Sequence, residues 1–207
     1  MAKAKASPRS RKNSPQASEL LVLELQEIHN AENQLSRVLP RLSKAVESDS
    51  LREMLEQRLE EGGRIISDIE SALEELDESP GRRKNVAAEG LINDAREHVQ
   101  EIESGPALDA VLVGAIQKTE HYCIAAWGTA RALAEAVGQQ SAGRAMARAL
   151  KAGGPFDEQL SKLAEKEIMP ALLADQDGDG SDDDEEASAG GRSQNQRRNR
   201  AEQPAGR

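Results

Sequence analysis

Two glutamates stand where a helical protein should bury hydrocarbon. Leu21, Leu25, Ile28, Leu35, Leu39, Leu42 and Val46 recur at steps of three and four residues, and position 32 on that stripe is a glutamate. Val113, Ile116, Cys123, Trp127, Ala130, Ala134 and Val137 form a second stripe, and the residue that interrupts it is Glu120. A lone buried carboxylate costs several kcal/mol unless it is protonated, paired or bound to metal. Glu61, one turn before Ile65, borders the inner face of another helix, and Glu27 and Glu89 border theirs. Carboxylates that meet from several helices in a bundle core are how di-iron and di-manganese centres are built. Hard or borderline cations supply the charge that makes such a cluster tolerable. The alternative is that these long side chains lie at helix–helix seams and reach water or an arginine.

The stretch EHYCIAAW, residues 120–127, holds the only Tyr, Cys and Trp of the chain. Tyr122 could donate its hydroxyl to a carboxylate. Cys123 reads as a small buried hydrophobe, with a thiolate ligand as the alternative. Trp127 reads as core volume. His121 is one residue off the stripe, and His29 and His98 lack an acidic partner at ligand spacing, so all three read as surface residues.

The elements that must position these groups are helices throughout. Periodicity predicts helices over about 18–47, 50–78, 86–103 and 107–138, with turns at SPGRRKN (79–85) and SGP (104–106). Ser18 and the Ser48–Ser50 region are the expected N-caps. On the second helix Leu55, Leu59, Ile66, Ile69, Leu73 and Leu76 mark the expected seam, with Gly62 on it. Residues 141–152 read as helix, GGP at 153–155 as a break, and 156–174 as helix again. Short connections between long amphipathic helices predict an all-α, antiparallel four-helix bundle with an extra helix in the middle connection.

Composition agrees. Aromatics make up only 1% of the 207 residues, so the core must be Leu, Ile, Val and Ala. One cysteine excludes an intramolecular disulfide framework and a Cys-rich zinc site. No apolar run approaches transmembrane length, and the basic start lacks the apolar segment of a secretory signal. The expectation is a cytoplasmic protein with no membrane partner. Residues 1–16 carry +5, residues 175–186 carry −8 and residues 187–207 carry +4, which leaves −11 on residues 17–174 of the chain's −10. A body that acidic repels phosphate, so nucleic acid is not an expected partner except for weak contact through the basic ends. The chain therefore divides into a disordered basic tail (1–17), a helical bundle (18–174) and a disordered tail, acidic then basic (175–207). DQDGDGSDDDEE (175–186) also fits the spacing of an EF-hand calcium loop, with Asp175, Asp177, Asp179, Gly180 and Glu186 in register. A sequence so rich in Asp and Gly meets that pattern easily, and the disordered linker is the preferred reading.

HNAENQL (29–35), RLEE (58–61), AAEGLI (87–92) and EHYCIAAWGT (120–129) together resemble the YciE/YciF-type ferritin-like family over roughly residues 17–170. The resemblance implies a ferritin-like four-helix bundle, a homodimer, a bacterial source and a link to stress responses. It also implies a di-metal centre of iron or manganese. Glu32, Glu61 and Glu120 match acidic positions of that presumed centre, and Glu27 and Glu89 match positions that are often acidic. Cys123 stands where the family usually has a glutamate, and Ile65 where it has glutamine or histidine. KAGGPFDEQL (151–160) replaces a Glu-rich stretch, leaving only Asp157. About half of the roughly six ligands of a complete centre remain. The expected site is therefore one weak metal site built from Glu32, Glu61 and Glu120, with Glu27 and Asp157 as helpers, or none. No catalytic residue is assigned, and ferroxidase chemistry is not expected. The alternative function is a non-catalytic dimeric helical scaffold that has lost its metal.

Overall fold

The computed structural model describes residues 16–179. Within them the order is α1 (Ala17–Ala45), α2 (Asp49–Glu74), α3 (Val86–Glu101), α4 (Pro106–Val137), α5 (Gln140–Leu163), a π-helical turn (Ala164–Ile168) and α6 (Met169–Asp179). Helices α1, α2, α4 and α5 form the bundle, and α3 packs on α1 and α4.

Loop lengths and cross-links fix the direction of each helix. Three residues separate α1 from α2, so these two are antiparallel, and α4 and α5 are likewise joined by a two-residue connection. Asp109, in the first turn of α4, accepts hydrogen bonds from the backbone N–H groups of Glu47 (3.0 Å) and Ser48 (2.7 Å), just past the end of α1. Arg148 of α5 donates to Asp68 of α2 at 2.9 Å, while Ser48 and Ser50 at the other end of α2 donate to Glu167. Every adjacent pair is therefore antiparallel, and α2 and α4 on the diagonal run the same way. Two parallel helices need a long crossover, and α3 lies in it. The expected architecture is the observed one.

Local chemistry ends the helices. The backbone N–H of Gln16 donates to Glu19 at 3.0 Å, which makes Gln16 the cap of α1 instead of Ser18. Ser48 caps α2 by accepting from the N–H of Leu51 at 3.1 Å, and the Asn85 side chain caps α3 by accepting from the N–H of Ala88 at 2.9 Å. Gly138 ends α4 in the left-handed conformation, φ 76°, which glycine adopts without a Cβ penalty.

Three expectations are corrected. The inner face of α2 is Leu51, Leu55, Arg58, Gly62, Ile65, Ile69, Ala72 and Leu73, while Leu59 and Ile66 are only half-buried. The GGP at 153–155 does not break the helix, and α5 runs through it. Pro155 lies on the exposed side, where water can meet a freed carbonyl, and Gly153 is buried against α4. The helical body also extends past Ala174 to Asp179, so the first five residues of the acidic run 175–186 are helix and do not form the start of a calcium loop. The remainder of that run, the basic start and the basic end lie outside the described residues. No helix among the described residues is long and apolar enough to cross a membrane.

Candidate functional site

The two inner carboxylates meet, and a guanidinium lies between them. Arg58 comes from α2, with Leu55 and Gly62 one turn away on either side of it. Its Nη1 and Nη2 donate to the two oxygens of Glu32 on α1, each at 3.1 Å, and its Nε donates to Oε2 of Glu120 on α4 at 2.8 Å. All three residues are buried, at 4%, 0% and 2% exposure respectively. The guanidinium carbon also sits 5.6 Å from the centroid of the Trp127 ring, within reach of a cation–π attraction. Arg58 thus meets a carboxylate from each of two other helices and an aromatic ring from α4.

Two glycines make room for this cluster. A Cβ on Gly62 would stand 3.1 Å from Nη1 of Arg58 and 3.3 Å from Oε2 of Glu32. A Cβ on Gly153 would stand 2.5 Å from Cζ3 of Trp127 and 2.8 Å from Oε1 of Glu120. The glycine that looked like a helix breaker therefore brings the backbone of α5 against the cluster.

The charges do not cancel. Burial works against the charge on Arg58, but Glu32 and Glu120 outweigh it and hold the guanidinium well above its ordinary value. Two carboxylates share that one cation. Burial raises the Glu120 carboxyl above its usual range, and Arg58 opposes the rise without cancelling it. Oε1 of Glu120 is buried with no hydrogen-bond partner, and so is Nε1 of Trp127. Cys123 is 2% exposed. Burial, with Glu32 next, pushes its thiol well above the ordinary value, which disfavours a thiolate.

The other expected ligands do not join. Glu61 turns along its own helix to Arg64 at 2.8 Å. Glu27 pairs with Arg83 at 2.6 Å, and Glu89 with Lys84 at 2.6 Å. Asp157 is held by His121 at 3.0 Å, and its second oxygen is buried and unpaired. Tyr122 accepts from the Asn85 side chain at 2.6 Å and makes no bond to a carboxylate. Among the described residues, no group of three or more His, Cys, Asp and Glu side chains is placed to hold a metal ion. The donor set does not fit a di-metal centre, which takes about six ligands. Glu32 and Glu120 are all that converge, and a fixed cation already occupies the space between them. The sequence reading missed Arg58. The signal available was its place at three- and four-residue steps between Leu51, Leu55, Gly62 and Ile65.

Residues 16–173 match the family described as Domain of unknown function (DUF892). The chain belongs to this family. Among its relatives is the protein YciF of Escherichia coli strain K12, 35% identical over 145 residues, which are 70% of this chain and 87% of YciF. The crystal structure of YciF, described as a stress protein, superposes with a TM-score of 0.70 at 34% identity, covering 73% of this chain and 96% of YciF. YcfI of Rhodopseudomonas palustris, which carries the provisional label of structural protein, superposes with a TM-score of 0.69 at 30% identity, covering 74% and 97%. A protein of Xanthomonas campestris shares the fold at 21% identity, with a TM-score of 0.63 and coverage of 78% and 99%. The DUF892 match begins at the cap of α1 and ends within α6, so the whole bundle lies inside the family segment.

Proposed function

We propose that this chain is a stress-associated, non-catalytic helical structural protein whose inner carboxylates are neutralised by Arg58 instead of by iron or manganese. One observation carries the reading: the Arg58 guanidinium is hydrogen-bonded to both Glu32 and Glu120 inside the bundle. A divalent cation between those carboxylates would meet a fixed positive charge at contact distance, a repulsion that a low-dielectric interior magnifies. The stress association rests on family membership and on the description of YciF as a stress protein, and the structural role on the label of YcfI. Pairing of two copies belongs to the same reading, and light scattering measures it.

The test is elemental analysis of freshly purified protein, followed by thermal melts with ferrous iron or manganese. The expected result is no stoichiometric metal and no metal-dependent rise in Tm. A site loaded at a hundred times its Kd would add about 2.7 kcal/mol, which a melt resolves easily. Stoichiometric metal together with such a rise would overturn the proposal.

A further inference from the structure

A pocket of about 290 Å³ opens from the surface between α2, α4 and α5 and ends at the charge cluster. Trp127, Phe156 and Pro155 give it apolar walls, Glu60 and Glu61 stand at the lining with Arg64, and Glu120 and Arg58 also line it. The two charges at its inner end are not equivalent. Arg58 spends its Nε, Nη1 and Nη2 on Glu32 and Glu120. Glu120 spends only Oε2, and its Oε1 is buried with no partner. The cluster contains two carboxylates and one guanidinium, so it holds one negative charge in excess. Arg64 is similarly engaged, with Glu61 at 2.8 Å and Glu60 at 3.7 Å. The surplus on the lining is therefore acidic.

We propose that this pocket binds a small organic cation, a primary ammonium on an apolar body, with the ammonium donating to the free oxygen of Glu120 and the body lying against Trp127 and Phe156. A primary ammonium offers donors and no acceptor, which suits an unpartnered carboxylate oxygen. Aromatic walls favour the cation and its hydrocarbon together. An anion would meet three carboxylates on the lining and two arginines already engaged. The volume is near the lower end of small-molecule pockets, which begin at about 300 Å³. That limits the ligand to a small amine. Gly153 contributes by absence: any side chain there would occupy the space beside Trp127 and Glu120.

Trp127 is the only tryptophan, so its emission reports on the pocket directly. The probes are phenethylammonium and its neutral counterpart phenethyl alcohol, titrated into the full chain by fluorescence and calorimetry. The ammonium should give a saturable one-to-one change, with at least tenfold tighter binding than the alcohol. Glu120→Gln should abolish that preference, and Phe156→Ala should weaken both probes. No binding, or equal binding of amine and alcohol by the unaltered protein, overturns the proposal even if the Glu120 variant fails to fold. A Glu120→Gln protein that keeps the full preference also overturns it. No metal enters these titrations, so their outcome is independent of the metal measurements.

Discussion

Arg58 and Glu32 face each other as two parallel forks, with Nη1 and Nη2 of the arginine each 3.1 Å from one oxygen of the glutamate. The pair is shut off from water, at 4% and 0% side-chain exposure. Two-point pairing of this kind fixes orientation as well as charge. It ties α1 to α2 at the middle of the bundle, and the third bond, from Nε to Glu120, ties both to α4.

Removing the cation alone should therefore be costly. Arg58→Met leaves two buried carboxylates facing each other, and breaking a buried pair typically costs about 3–5 kcal/mol. Urea unfolding at neutral pH should show that loss as a fall in the midpoint with little change in slope. Replacing all three charges together, as Glu32→Gln, Arg58→Met and Glu120→Gln, should recover stability to the starting level or above it. Buried ion clusters are often neutral or unfavourable relative to uncharged residues of similar volume. A triple variant as weak as Arg58→Met would count against this account.

Sequence periodicity was enough to place the two key carboxylates. Glu32 and Glu120 interrupt otherwise apolar stripes at helical spacing, and both are buried. Their counter-charge was harder to see, because α2 has apolar residues on more than one side. Leu59 and Ile66 compete with Leu55, Ile65 and Ile69 for the seam, and the correct choice rotates Arg58 inward. Glu61 looked internal for the same reason. Once Arg58 faces the core, Glu61 is carried round to Arg64 at the edge. The helix through GGP was illegible because local propensity penalises Gly and Pro there. Only the tertiary approach of Trp127 and Glu120 explains why Gly153 is needed.

Gly153 and Gly154 should respond in opposite directions to alanine. At 153 the new methyl would stand 2.5 Å from Trp127 and 2.8 Å from Glu120. Overpacking of that kind costs about 1–3 kcal/mol. At 154 nothing lies within 4 Å, and the residue is inside α5, so alanine should gain about 0.5–1 kcal/mol from helix propensity. Thermal melts of the two variants side by side check the contrast. Equal effects would mean that α5 does not approach α4 as described.

Asn85 joins three elements with one side chain. It accepts from Ala88 N–H to cap α3, and its Nδ2 donates to the Glu27 carbonyl at 3.0 Å and to the Tyr122 hydroxyl at 2.6 Å. Asn85→Ala loses the cap, worth about 1 kcal/mol, and also leaves partly buried acceptors short of a donor. The total loss should be about 2–3 kcal/mol. Tyr122→Phe removes one bond and should cost about 0.5–1.5 kcal/mol. Chemical denaturation should therefore rank Asn85→Ala well below Tyr122→Phe.

The pH dependence of the cluster has a definite sign. Burial raises the Glu120 carboxyl above its ordinary value of 4.5 in the folded protein, against the opposing pull of Arg58. Below the ordinary value the carboxyl is protonated in both states, and it contributes nothing to the difference. As pH rises from there, the unfolded chain gives up the proton first, so the folded state binds more protons and loses stability. The loss stops growing once pH passes the raised folded value. Glu120→Gln keeps an oxygen for Arg58 and cannot ionise. Its stability relative to the unaltered protein should therefore improve as pH rises through that window and then level off. Taking the difference removes the titration of the exposed carboxylates, which are common to both proteins. Urea midpoints at half-unit steps from pH 4 upward measure it. A difference that is flat, or that falls with pH, would show that the pull of Arg58 outweighs burial.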